Sequence, residues 1–248
     1  MQALILAAGM GKRLGKPAGN YAKCMITVDE KTLIERSITS IRDAGVTKII
    51  IVVGYSANVL IDHVSSIEGI ELEFIFNRDY ETTNNIYSLY LAKNVLLRDD
   101  TLLLESDLIF DPTLIHRMIA SENSAALVDK YSSWMDGTTV LIDKEDNITR
   151  FIEKTELTPD LMKNCYKTVN IYKFTKEFSS DYYVPKITKY VEEKDKNSYY
   201  EIILKILMNS PHSIFKAIIV QNKLWYEIDN SNDLSIAKKM FSSTQTKE

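Results

Sequence analysis

Two hydrophobic patterns alternate along the first hundred residues. Met1 to Ala8 is an apolar run, Lys48 to Val53 reads KIIIVV, and Thr101 to Leu104 reads TLLL; such continuous runs predict strands buried on both faces. Lys31 to Ala44 instead spaces Leu33, Ile34, Ser37, Ile38 and Ile41 at helical intervals and stops at Gly45, which predicts an amphipathic helix. A second helix is predicted over Ala57 to Ser66, a strand over Ile70 to Phe76, and a third helix over Asn84 to Val95 with Thr83 as its N-cap. Strand and helix therefore alternate as in βαβ units, which predicts a doubly wound, mostly parallel sheet. After Asp111 the pattern changes. Short strands at Ala125 to Asp129, Thr138 to Ile142, Ile148 to Glu153, Thr168 to Phe174 and Ser213 to Val220 surround helices near Ile187 to Glu193 and Tyr199 to Leu207, so the sheet is expected to become mixed.

In such sheets ligands bind beyond the carboxyl ends of the strands. Those ends carry Gly9 to Arg13, Gly54 and Tyr55, Asn77, and Glu105 to Asp107. The first is the most informative, because LAAGMGKRLG (Leu6 to Gly15) puts two glycines directly before Lys12 and Arg13. Glycines let backbone amides approach a polyphosphate, and adjacent cations neutralise it. The spacing excludes the two commonest phosphate loops. A Walker loop needs Ser or Thr after its lysine, but Lys12 is followed by Arg13 and Lys16 by Pro17. A dinucleotide fingerprint needs a small residue where this chain has Leu14. By itself the loop is equally compatible with an ordinary strand-to-helix turn.

Composition narrows the class. The 248 residues are 45% hydrophobic and 26% charged, with no Pro-, Gly- or Ser-rich linker and no internal repeat, which predicts one domain with a large core. The net charge of -4 gives no basic footprint for a nucleic-acid partner. There is no apolar run of the roughly 18 residues that a membrane span requires, and Cys24 and Cys165 do not make a disulfide framework. The expectation is a cytoplasmic protein with neither nucleic-acid nor membrane partners. Cys24 reads as a small buried thiol, and His63, His116 and His212, all in polar contexts, as surface residues.

Five ordered blocks resemble the nucleotidyltransferases that join a nucleoside triphosphate to a phosphorylated small molecule. LILAAGMGKRLG is similar to their LAAGxGxR loop, and YAKCMITVDEKTLIE, with Lys23, to their PK-x-L segment. ESDLIF with Asp107, ITRFIEKTE followed by KTVNIYKF, and LWYEIDNSNDLSIA complete the set. Within that family, TTNNIYSLYLAK and YEIDNSNDL resemble phosphocholine cytidylyltransferases, and VDKYSSWMDGTTV with LLLESDLIF resembles 2-aminoethylphosphonate cytidylyltransferases. Two departures lie on the acceptor side: Thr155 stands where sugar-activating members have Pro, and Asn170 where they have Gly. The resemblance implies an α/β, single-domain Rossmann-like nucleotidyltransferase fold over residues 1–241, its mostly parallel mixed sheet flanked by helices. A nucleotide half would span about 1–111 and an acceptor half about 112–241, with 242–248 a frayed tail.

It also implies roles. Arg13 and Lys23 would be catalytic, Lys12 and Arg13 gripping the β- and γ-phosphates of CTP and Lys23 the α-phosphate. Leu6, Ala7, Ala8, Gly9, Met10 and Gly11, with Thr83, Asn84, Ser88 and Ser106, would surround the nucleotide. Asp107 and Asp229 would share one Mg²⁺. No general base is required, because a phosphonate or phosphate acceptor is already a nucleophile. The acceptor would meet Tyr131, Trp134 and Asp136, whose ring faces and carboxylate suit a cationic amine, with Lys154 and Asn170 at its phosphonate. Plainer roles stand beside each of these. Asp107 caps a turn, Asp229 caps a helix starting near Asn230, Lys23 is a solvated loop cation, Asn84 is turn chemistry, and Trp134 covers the core edge. Tyr199, Tyr200, Trp225 and Tyr226 read as core. The expected reaction is CMP transfer from CTP to 2-aminoethylphosphonate; the alternatives are phosphocholine as acceptor, a sugar 1-phosphate, or a non-catalytic nucleotide-sensing module. Oligomeric state is not encoded in any of these motifs.

Overall fold

The computed structural model describes residues 1–11, 21–208 and 214–242. Lys12, Arg13, Leu14, Lys16, Pro17, His212, Ser213 and residues 243–248 of the expected tail lie outside the described residues.

The chain opens with β1 (Gln2–Ala7), a hairpin of β2 (Thr27–Val28) and β3 (Lys31–Thr32), and helix α1 (Leu33–Asp43). Then come β4 (Lys48–Val53), α2 (Ala57–Val64), β5 (Glu71–Phe76), α3 (Asn85–Leu91), α4 (Lys93–Leu96), β6 (Thr101–Glu105), β7 (Leu108–Phe110) and α5 (Thr113–Ile119). The second half carries β8 (Ala125–Lys130), β9 (Thr139–Ile142), β10 (Ile148–Ile152), α6 (Pro159–Asn164), β11 (Tyr166–Phe174), α7 (Lys176–Phe178), α8 (Val184–Glu193) and α9 (Glu201–Met208). It ends with β12 (Lys216–Ile219), β13 (Trp225–Glu227) and α10 (Ser231–Ser242).

One sheet runs in the order β10-β9-β11-β6-β1-β4-β5, with β8 paired to β11 and β12. The stretch β6-β1-β4-β5 is parallel throughout, as the βαβ pattern predicts. Period-2 alternation divides the apolar runs between its two faces. Leu4, Leu6, Ile50, Val52 and Leu103 face a core cluster shared with α3, α4, α8 and α9. Ala3, Ile5, Ile49, Ile51, Leu102 and Leu104 face another, shared with α1, α2 and α5. With helices on both faces, every residue of β1 is buried, which is why the run shows no polar alternation.

The helical starts were the less exact predictions. α1 begins at Leu33 rather than Lys31, because Thr32 closes a reciprocal capping box with Glu35. The helix expected over Asn84 to Val95 breaks at Ala92, and Asn84, not Thr83, is its N-cap; Thr83 Oγ1 donates instead to the carbonyl of Asp79 at 2.8 Å. The C-terminal helix packs Leu234 and Ala237 against Ile26, Val28, Ile109 and Tyr226 in a third cluster. This cluster anchors the antiparallel ribbon β7–β13, in which Glu227 pairs with Leu108 and the Ile228 amide donates to the carbonyl of Asp107 at 3.0 Å. No helix of the described residues is long and apolar enough to cross a membrane.

Candidate active site

The carboxyl ends of β1, β5 and β6 open into a cavity of about 790 Å³. Of the residues singled out by sequence, Leu6, Ala8, Gly9, Gly11, Lys23, Thr83, Asn84, Ser88, Ser106, Asp107, Asp136, Lys154, Asn170 and Asp229 line it. Ala7 does not, because its side chain faces the α1 side of the sheet. Met10 is also outside the lining, whereas Lys12 and Arg13 lie outside the described residues. His63 and His116 do not line the cavity; His63 Nε2 lies 3.1 Å from Thr32 Oγ1 and 3.5 Å from a Glu35 carboxylate oxygen.

Lys23 is the hub of the site. It begins a single 3-10 turn and its ammonium donates to Asp107 Oδ2 at 2.6 Å and to Asp229 Oδ1 at 2.7 Å. Burial pulls this ammonium down, but the two carboxylates outweigh it and hold the group above the ordinary lysine range. It is therefore not a solvated loop cation. Nor does Asp229 cap α10: its carboxylate turns to Lys23, while Asp233 Oδ2 accepts the Asp229 and Asn230 amides and Asn230 Oδ1 accepts those of Asn232 and Asp233.

Gly11 explains the second glycine of the loop. It has φ +62°, and a Cβ there would lie 2.9 Å from Lys23 Cβ. Gly11→Ala combines a left-handed penalty of about 1 kcal/mol with a push on the Lys23 stem. We expect kcat/KM for nucleotidyl transfer to fall by up to about a hundredfold, since small misplacements of a charge-stabilising group are that costly. Gly9→Ala, where the added atom meets nothing within 4 Å among the described residues, separates the push on Lys23 from the loss of a loop glycine in the same pyrophosphate-release assay.

Sequence reasoning missed Glu227. It is two residues before Asp229 on a strand end, so both carboxylates leave the ribbon on the same side while Tyr226 and Ile228 turn into the third core cluster. Asp107, Glu227 and Asp229 each place a carboxylate oxygen within 4.8 Å of one another. Asp107 Oδ1 is buried and accepts no hydrogen bond from any described residue. Three convergent carboxylates, one of which has an unsatisfied oxygen, fit a Mg²⁺ ion. The signal for Glu227 was the YEID alternation itself, which puts an acid at each of two same-side positions.

The surroundings of Glu227 are tightly built. Asn170 has φ +60° at a register shift in β11, and its Nδ2 donates to Glu227 Oε1 at 3.3 Å. This left-handed backbone is one that glycine adopts without a side-chain penalty. Lys167, 1% exposed, approaches Glu227 Oε2 at 3.6 Å. Burial nevertheless pushes Glu227 up to about 7 from 4.5; Lys167 opposes this and Asp107 and Asp229 reinforce it. The consequence for stability has a definite sign. A carboxyl with its folded pKa raised is neutral in the fold while the unfolded chain ionises, so its contribution is present below about 4.5 and lost as pH rises to about 7. Without divalent ions, urea unfolding across that window should show stability declining, and Glu227→Gln should flatten the decline.

Toward the nucleoside side, Asn77 is buried and its Nδ2 donates to Ser88 Oγ at 3.0 Å and Thr83 Oγ1 at 3.3 Å, tying the end of β5 to α3. Gly54 is packed so closely that a Cβ would lie 2.8 Å from the Ala8 carbonyl oxygen. On the acceptor side the aromatic loop does not converge as expected. Trp134 stacks on Tyr226 with centroids 5.6 Å apart and lines a separate cleft with Met135 and Met240, and Tyr131 packs against the α1-side core. Asp136 does line the main cavity, but its carboxylate is 66% exposed and accepts from Lys154 Nζ at 3.0 Å, a bond that holds it below the usual carboxylate range. The described lining carries seven carboxylates and three lysines.

The chain is similar to several known proteins. The CMP-5'-(3-aminopropyl)phosphonate synthase of Streptomyces rubellomurinus is 25% identical over 98% of this chain, which spans 39% of that protein's length. The CTP:phosphoglutamine cytidylyltransferase of Campylobacter jejuni is 27% identical over 95% of this chain and 98% of that protein. In fold, the chain is similar to the CTP:phosphocholine cytidylyltransferase of Streptococcus pneumoniae, with a TM-score of 0.82 over 96% of this chain and 98% of that one at 22% identity. Residues 3–145, from the glycine loop through the βαβ units and Asp107, match the MobA-like NTP transferase domain, and the chain belongs to that family of nucleotidyltransferases.

Proposed function

We propose that the protein transfers CMP from CTP to a small amine-bearing phosphonate, 2-aminoethylphosphonate being the reference acceptor, and releases pyrophosphate. The observation that carries this reading is the clasp of Lys23 by Asp107 and Asp229, with Glu227 beside them, below the loop that ends β1. The Streptomyces and Campylobacter relatives, both named for cytidylyl products or CTP, support the choice of base. In the reaction a phosphonate oxygen attacks the α-phosphorus of CTP, the bond to the β-phosphate bridging oxygen breaks, and pyrophosphate carries away the electron pair. Asp107, Asp229 and Glu227 would hold a Mg²⁺, whose charge offsets that of the phosphate oxygens. Lys23, already aimed into the cavity, is the cation for the α-phosphoryl oxygens as their charge grows. Lys12 and Arg13 follow the glycines in sequence and serve the β- and γ-phosphates. Leu6, Ala8, Thr83, Asn84 and Ser88 form the nucleoside wall, which Asn77 braces, and Lys154 serves the phosphonate.

The test is a pyrophosphate-release assay crossing CTP, UTP, ATP and GTP with 2-aminoethylphosphonate, phosphocholine and glucose 1-phosphate. Release confined to CTP with the aminophosphonate is the expected result. A preference for phosphocholine corrects the acceptor; a preference for glucose 1-phosphate or for another nucleotide overturns the reading, and no release at all favours a nucleotide-sensing module.

A further inference from the structure

One buried cation has no part in the transfer chemistry above. Lys167 of β11 is 1% exposed and does not line the cavity. Its ammonium donates to the Thr168 carbonyl at 2.5 Å and lies 3.6 Å from Glu227 Oε2, and no other carboxylate of the described residues forms an ion pair with it. Gly137, which does line the cavity, covers the ammonium: it has φ +97°, and a Cβ there would come 3.0 Å from Lys167 Cε and 3.1 Å from Nζ. Three residues along the same strand, Asn170 takes the other oxygen of Glu227. Its Oδ1 accepts from Thr168 Oγ1 at 3.2 Å, which aims its Nδ2 at Glu227 Oε1, 3.3 Å away. One short stretch of β11 therefore meets both oxygens of the acid.

Lysine is almost never fully buried, and exchanging a buried ion pair for apolar residues is often neutral or stabilising. Stability alone is therefore a poor reason for an ammonium here. A metal-binding carboxylate, by contrast, depends on outer groups that fix its orientation. We propose that Lys167 and Asn170 are positioning residues that seat Glu227 in the carboxylate cluster, Lys167 from beneath the cavity wall and Asn170 from its surface. This rests on the reading of Asp107, Glu227 and Asp229 as the metal ligands of the CMP-transfer centre. Access separates the two lysines of the cluster. Lys23 lines the cavity and can turn from its carboxylates to phosphate oxygens, whereas Lys167, sealed under Gly137, keeps to Glu227 throughout the reaction.

Titration of Mn²⁺ into the nucleotide-free protein, with the unbound ion read by electron paramagnetic resonance, tests the seat without acceptor or turnover. Lys167→Met, which keeps an apolar stem of similar length, is expected to bind Mn²⁺ about tenfold more weakly than wild type, the loss typical of a group that orients a metal ligand. Asn170→Gly retains the left-handed backbone and removes only the donor, so about a threefold loss is expected. Both losses should shrink to within about twofold in the Glu227→Gln background, because both residues act through that carboxylate. Unchanged or tighter Mn²⁺ binding by Lys167→Met, a loss of the same size with and without Glu227, or a wild-type protein that binds no Mn²⁺ overturns the proposal. If Lys167→Met does not fold, judged by its thermal melt, Asn170→Gly and its pairing with Glu227→Gln decide. Absence of pyrophosphate release from CTP would sink the proposed reaction alone, since metal binding is read without it.

Discussion

Asp107→Asn is expected to lower turnover by about three orders of magnitude or more, the loss typical when a group organising charge at a phosphoryl centre is removed. Asp107 has two tasks. One oxygen holds Lys23, the other is buried with no described donor, and the carboxylate belongs to the cluster with Glu227 and Asp229. Asparagine preserves shape, but it replaces one hard anionic oxygen with an amide that repels both a cation and the Lys23 ammonium. The fold should survive, because the substitution also relieves repulsion among three convergent carboxylates and leaves Lys23 paired with Asp229. The signature is therefore a melting temperature equal to or above that of the parent, with pyrophosphate release nearly abolished. Near-normal turnover would remove Asp107 from the reacting centre.

Lys23→Ala should lower kcat by about a hundredfold to a thousandfold while changing the KM for CTP far less, because charge on the α-phosphoryl oxygens grows only as the reaction proceeds. Its effect on stability should differ from that of Asp107→Asn. Without the ammonium, Asp107 and Asp229 lose the cation they share, so the melting temperature should drop in metal-free buffer. Mg²⁺ should restore it, and the upward shift in the variant should exceed that in the parent, whose lysine competes for the same oxygens; binding to the folded state alone raises stability by mass action. A variant that loses KM and kcat equally, or whose melt ignores Mg²⁺, would refute this division of roles.

The parts readable in the sequence were those fixed by local rules. KIIIVV and TLLL could only be doubly covered strands, and Thr32 with Glu35 carries the signature of a helix start. Lys23, Asp107 and Asp229 were found because each lies at a strand end or in a block shared with relatives. Glu227, Glu105 and Glu201 were harder. An acid within an apolar segment reads as a surface residue until the tertiary structure shows what covers it, and Glu201 is buried beside Tyr172 of β11, whose Oη donates to it at 3.4 Å. The rings of the Tyr131 to Asp136 loop were misplaced for the opposite reason, although Asp136 does line the cavity. Its composition suited a cation site, but whether Trp134 faces the cavity depends on β13, which offers Tyr226 as a stacking partner some ninety positions along the chain.

The ribbon β7–β13 has a consequence for how the protein is made. The sheet that carries Lys23 and Asp107 can close once β6 has paired with β1, Gln2 meeting Thr101, but the other two carboxylates arrive only with residues 227 and 229. Closing so long a loop costs little more entropy than closing one half its length, so the delay is one of synthesis and not of thermodynamics. A nascent chain stalled before β13 would therefore present Lys23 to a single aspartate, short of the two carboxylates that complete the cluster.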